Sequence, residues 1–236
     1  MMGNTEHTSK QFDAELEAVR ARVLQMGGLV ESQIQLAVEA LVSGDAALMS
    51  RVIGEDHRVN ALEVEIDESC NHIIARRQPA ARDLRMIMTV IKTITDLERI
   101  GDEAEKIARM AKLLSQKERL LLPRYTEIRR AAELALDMLR KSLDAFARLD
   151  LSMAGQVVRQ DELVDEEFRA IMRYLITFMM EDPRTISIAL EILFIAKAIE
   201  RIGDHAKNMS EYVVYMVKGR DVRHVTVEEI EREISE

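Results

Sequence analysis

This sequence predicts an all-α protein: two tandem three-helix bundles, six long helices in all, related by an internal pseudo-twofold repeat. Three observations lead there. The apolar 47% of the 236 residues is rich in Leu, Ile and Ala with 14 Met, no Trp and few aromatic rings, while only 9 Gly and 3 Pro interrupt the chain, a mixture that favours long helices over sheet. Apolar residues recur at spacings of three and four, as in Ile188, Ile192, Ile195, Ile199, Ile202, Ala206 and Met209, the pattern of one buried helical stripe. Finally, the word Glu98-Arg99-Ile100-Gly101-Asp102 returns unchanged as Glu200-Arg201-Ile202-Gly203-Asp204, and an internal repeat sets the architecture.

The breaks between elements divide the chain into helices at about 7–43, 45–76, 79–115, 123–149, 151–181 and 183–218. Gly44-Asp45 reads as a helix end followed by a fresh N-cap, and Leu149-Asp150 marks a similar junction. Pro79, Pro123 and Pro183 each stand where a helix can begin, because the missing proline N–H would be unpaired in the first turn anyway. Asp182 is the expected cap before the last of them. Rods of more than 30 residues would be roughly 45–55 Å long at about 1.5 Å per residue. From Gly219 to Glu236 the chain is charged and weakly patterned. Thr226 with Glu229 suits the cap of a short helix, and disorder is the alternative.

The repeat extends beyond the shared word. Ala104 matches Ala206 at the same spacing of 102, and upstream the spacing drifts to 105, pairing Asp45 with Asp150, Val52 with Val157, Asp56 with Asp161 and Val59 with Val164. Short changes at helix ends produce such drift. Helices one to three therefore correspond to helices four to six, giving a first unit over residues 1–118, a second over 119–218, and a tail over 219–236.

Charge narrows the function classes. The net charge of −9, with no dense run of Lys or Arg, speaks against nucleic acid, adhesion to an anionic membrane and direct capture of free phosphate, and favours cations. Cys70, the single cysteine, precludes an internal disulfide and suits a reducing compartment. The opening residues lack a secretory signal pattern, and the longest apolar stretch, Tyr174 to Met180, is far too short to cross a bilayer. Membrane association would therefore run through a partner.

Residues four apart share a helix face, so Glu98 points with Asp102 and Glu200 with Asp204. Like charges at that spacing destabilise a helix unless a cation sits between them, and carboxylate oxygens suit hard cations such as Mg²⁺, Mn²⁺ and iron. The predicted neighbouring helix adds Asp161 and Asp165 in the second repeat, and Asp56 and Asn60 at the matching positions of the first, with Glu63 and Asp67 nearby. Adjacent helices can aim two such pairs at one point. The competing account is a set of solvated faces with ion pairs, since Lys197 and Lys207 flank the second pair by a turn and Lys106 follows Asp102 by four. With Asn60 in place of a carboxylate, the first site is expected to be weaker or differently shaped. Gly101 and Gly203 in mid-helix suggest close approach of another helix. Arg99 and Arg201 are expected to pair with acids of a neighbouring helix in preference to substrate phosphate. A carboxylate-bridged di-metal enzyme would use Glu-x-x-His on two helices, yet none of His7, His57, His72, His205 or His224 follows a Glu by three. No Ser/His/Asp pattern, phosphate-binding Gly loop or Cys/His cluster is present either, so an enzyme is not expected.

The paired Glu-Arg-Ile-Gly-Asp segments, the stretch Gln78-Pro79-Ala80-Ala81-Arg82-Asp83-Leu84-Arg85 and the stretch Asp204-His205-Ala206-Lys207-Asn208 resemble the PhoU family over residues 7–218, duplication included. That resemblance implies a bacterial, cytoplasmic protein of two three-helix repeats that restrains the phosphate-starvation response and limits phosphate uptake. It implies as partners the ATP-binding subunit of an ABC phosphate importer and a sensor histidine kinase, together with dimerisation. It also implies multinuclear clusters of iron, manganese, zinc or magnesium on Glu/Asp-x-x-x-Asp motifs, here Glu98 and Asp102, Glu200 and Asp204, and Asp161 and Asp165. Asp56 and Asn60 depart from the motif at the fourth place. A metal-free helical scaffold remains the alternative.

Overall fold

A computed structural model describes residues 4–116 and 125–235. Every regular element among them is helical: α1 (Asn4–Ser43), α2 (Ala46–Glu55), α3 (His57–Arg77), α4 (Ala81–Ser115), α5 (Thr126–Arg148), α6 (Leu151–Glu181), a 3₁₀ turn over Pro183–Thr185, α7 (Ile186–Lys218) and α8 (Val227–Ser235). The caps explain the ends. Gly44 takes φ 73° and Asp45 then accepts hydrogen bonds from the amides of Ala47 and Leu48 at 2.8 and 3.2 Å. Leu149 repeats the left-handed stop with φ 57°, and Asp150 accepts from the Met153 amide at 3.0 Å. Asp182 caps the 3₁₀ turn through the Arg184 amide at 3.0 Å, with Pro183 in its first position. Thr226 and Glu229 form the reciprocal capping box that starts α8.

The boundaries differ from the expectation at Pro79 and within residues 45–76. Pro79 precedes α4 instead of opening it, because Gln78 ends α3 in the left-handed region at φ 48° and Ala80 is extended. The expected helix over 45–76 is two helices, divided at Asp56. His57 Nδ1 bonds the Gly54 carbonyl at 2.8 Å, a local competitor for the backbone oxygen beside a poor helix former. The matching positions of α6 are Arg159 and Glu162, and α6 runs through unbroken. The expected helix start at Pro123 lies outside the described residues.

The two units face each other across α4 and α7, the most extensive helix pairing in the molecule, with α1 against α5 beside it. Within the first unit α1 and α4 pack on α2 and α3, and within the second α5 and α7 pack on α6. The third helix of each repeat is therefore apolar on two sides: α4 buries Ile87, Ile94, Leu97, Ile100 and Ile107, and all seven positions of the stripe foreseen in α7 are buried. At the α1–α5 crossing, a Cβ on Gly27 would lie 2.5 and 2.7 Å from the two methyls of Leu143. Gly27→Val should therefore cost about 1–3 kcal/mol through overpacking, measured by urea denaturation; unchanged stability would show that Leu143 can swing aside.

Candidate cation-binding faces

In each repeat the acidic word of the third helix lies against the second. On the first face Asp56, Glu63, Glu98 and Asp102 all hold their protons more tightly than ordinary carboxylates. Burial is the main cause for each, followed by their neighbours: Asp102 and Glu105 for Asp56, Asp67 and Asp102 for Glu63, Asp102, Glu63 and Asp56 for Glu98, and Glu105 and Glu103 for Asp102. Two local bonds relieve this only in part. Asn60 Nδ2 donates to Asp56 Oδ2 at 3.3 Å, and the Thr95 hydroxyl donates to Glu63 at 3.4 Å. Asp56 Oδ1 is buried without a hydrogen-bond partner.

The second face is the more crowded. Burial, Glu200, Asp161 and Asp165 raise the Asp204 carboxyl from an ordinary 3.8 to about 6. Two lysines stand among these acids. Lys197 Nζ donates to both oxygens of Glu200 at 2.5 and 2.6 Å along the same helix, and Lys207 Nζ reaches from α7 to Asp161 Oδ2 on α6 at 2.8 Å. Asp165 is held by Arg169 at 3.0 Å. A cavity of about 580 Å³ opens beside Asp204 and Lys207, walled on its far side by Arg223, His224 and Val225.

The structure thus brings Glu98 and Asp102 together with Asp56 and Asn60, and Glu200 and Asp204 together with Asp161 and Asp165. Among the described residues no three His, Cys, Asp or Glu side chains are arranged to hold one metal ion as they stand. The donor set nonetheless fits a hard cation: mutually repelling carboxylates, partly withdrawn from water, with an orphaned oxygen at one face and ammonium groups substituting for a cation at the other.

The repeat-related glycines sit under these faces. A Cβ on Gly101 would meet Val59 at 3.4 Å and one on Gly203 would meet Val164 at 3.4 Å, so the paired valines lie over the paired glycines in ordinary van der Waals contact. Arg201 pairs with an acid of a neighbouring helix as expected, Glu103 of α4 at 3.2 Å. Lys106 also goes to Glu103, at 3.1 Å, which leaves Asp102 to its acidic neighbours.

Sequence reasoning missed several buried polar groups. Asp96 and His205 meet across the α4–α7 seam, with Nδ1 2.6 Å from Oδ1. Glu211, raised from 4.5 to about 7 chiefly by burial, lies beside Lys207, and Gln33 of α1 is buried without a partner for its carboxamide. No local pattern marks them, because each acquires its role from another helix. Cys70 is buried, with its thiol pushed up to about 12, and is inert.

The model of the PhoU domain matches this chain twice, over residues 23–111 and 128–213. The chain belongs to the PhoU family. It is 48% identical over 231 residues to a phosphate-specific transport system accessory protein PhoU homolog of Pseudomonas putida, covering 98% of this chain and 90% of that one. To the Escherichia coli protein of that name it is 48% identical over 228 residues, covering 96% and 93%. The crystal structure of PhoU from Pseudomonas aeruginosa superposes with a TM-score of 0.85 at 48% identity, over 89% of this chain and all of that chain. That of the phosphate transport system regulatory protein PhoU from Streptococcus pneumoniae gives 0.83 at 29% identity, over 89% and 99%. The family's doubled domain agrees with the repeated word and the paired valine–glycine contacts. Among the described residues no helix is long and apolar enough to cross a membrane.

Proposed function

We propose that this chain is a cytoplasmic, non-enzymatic adaptor of the phosphate system, restraining the phosphate-starvation response when phosphate is plentiful and limiting uptake. Its two working units are residues 1–118 and 119–218. As a homodimer it would contact the ATP-binding subunit of an ABC phosphate importer and a sensor histidine kinase, and its acidic faces would carry iron, manganese, zinc or magnesium. The observation that carries this is a matched pair of strained acidic faces in a chain that aligns almost end to end with phosphate-transport accessory proteins.

The second face would hold its ion through Asp161, Asp165, Glu200 and Asp204, and the first through Glu98, Asp102, Asp56 and Asn60. A bound cation supplies the positive charge that the stacked carboxylates lack. Lys197 and Lys207, which neutralise Glu200 and Asp161 at the second face, would then be free of them, and the charge that α7 presents beside the cavity would change. Such a redistribution would give the helical body two surface states for a partner to distinguish.

Replacing Glu200 and Asp204 together by Ala should lower the metal content of purified protein and raise phosphate-regulon output in high phosphate, as deletion would. Elemental analysis and a regulon reporter read the two effects. Metal content unchanged by the double substitution would refute the site, and regulon output unchanged by deletion would refute the function.

A further inference from the structure

The two faces are not equivalent, and the difference lies outside the acidic words. Lys197 and Lys207, which hold Glu200 and Asp161 in the second repeat, correspond at the spacing of 102 to Thr95 and Glu105 in the first. The first face therefore lacks the two internal ammonium groups of the second and gains an acid. It has something else instead. Gln33 of α1 is 2% exposed, and both ends of its carboxamide lack a hydrogen-bond partner. Its Oε1 lies 3.4 Å from the point a Gly101 Cβ would occupy, and the orphaned Asp56 Oδ1 lies 3.6 Å from the same point. At the corresponding place over Gly203 stands the thioether of Met138, at 3.7 Å.

Two buried acceptors thus look into one small space, next to Asp102 in the chain, with no donor for either. A buried polar atom without a partner is costly, and two acceptors sharing a space call for something positive between them. An amide oxygen is an ordinary ligand of hard cations, in company with carboxylates. We propose that Gln33 is an oxygen ligand of a divalent cation at the first face, so that α1, which carries none of the acidic motif, completes that site. The proposal rests on the acidic faces being cation sites. It also separates the two faces: the first has no ammonium group of its own, whereas an ion entering the second must displace Lys197 and Lys207 from Glu200 and Asp161.

The test uses the full chain carrying Glu200→Gln and Asp204→Asn, so that only the first face remains, titrated with Mn²⁺ and followed by the paramagnetic resonance of free Mn²⁺. Gln33→Met, which installs the residue of the second repeat, should weaken Mn²⁺ binding about tenfold or more. Gln33→Glu should tighten it, because a carboxylate is the stronger ligand. A carboxamide turned end for end would instead donate Nε2–H to Asp56, and then Gln33→Glu would weaken binding by repulsion; that result overturns the proposal. Binding within twofold of the parent in either folded variant overturns it as well, with the acidic-face assignment intact. Failure of the parent to bind Mn²⁺ at all, with or without its second face, overturns both. Circular dichroism shows which variants fold, and either one alone decides the outcome.

Discussion

Asp96→Ala should destabilise the protein by about 1–3 kcal/mol, the usual cost of leaving a buried donor without its partner. Asp96 and His205 are 3% and 5% exposed, and their 2.6 Å bond spans the α4–α7 seam that joins the repeats. Asn208 Nδ2 also donates to Asp96 Oδ1, at 3.4 Å. Loss of the carboxylate leaves the nearly buried imidazole N–H without its partner. Since the pair lies between the units, the substitution should also loosen their cooperation. Denaturation followed in parallel by far-ultraviolet circular dichroism and by a probe of one unit would reveal transitions drawing apart. Asp96→Asn keeps an acceptor and should cost less. A loss below about 1 kcal/mol for Asp96→Ala would mean that water enters to satisfy His205, leaving the seam as an apolar contact alone.

That seam also shows what was legible in the sequence and what was not. The repeat was legible because packing demands the same residues twice: Val59 over Gly101 and Val164 over Gly203 are one contact made in two places. The apolar stripe of α7 was legible because a helix buried on two sides must be apolar at a fixed period. The acidic faces were legible as words on single helices. The Asp96–His205 link was not, since it breaks the repeat: the position matching Asp96 is Ala198, and that matching His205 is Glu103, which pairs with Arg201 and Lys106 instead. Gln33 escaped for the same reason, standing where the other half has Met138. Doubling the motif therefore revealed the architecture and concealed the places where the halves have diverged. The break at Asp56 was hidden by its cause, a histidine side chain bonding a carbonyl three residues back, which no periodicity registers.

Treated with a chelator, the protein should lose stability as pH rises from about 4 to 8, and divalent cation should reverse that trend. Asp204 titrates near 6 in the folded chain against an ordinary 3.8, and Glu211 near 7 against 4.5. Between those values the folded state binds more protons than the unfolded state, so the slope of unfolding free energy with pH is negative. The contribution is fully present below about pH 4 and gone above about pH 7. At about 1.4 kcal/mol per pKa unit the two groups amount to on the order of 3–6 kcal/mol, the lower end being the more apt because both feel Asp161 and Lys207. Glu98 and Asp102 act in the same sense. Asp221, lowered to about 2 by Arg223, acts oppositely but only at pH below about 4, outside the window. Glu211→Gln should therefore flatten the upper half of the curve. Mn²⁺ binds the ionised carboxylates, so it should stabilise the chain at pH 8, by about 2.7 kcal/mol at a hundred times its dissociation constant, and have little effect at pH 5. Thermal melts at four pH values, with and without Mn²⁺, measure all of this. Stability that climbs from pH 5 to 8 without metal would show that the acids of the two faces are already compensated, and the need for a cation would vanish with the strain.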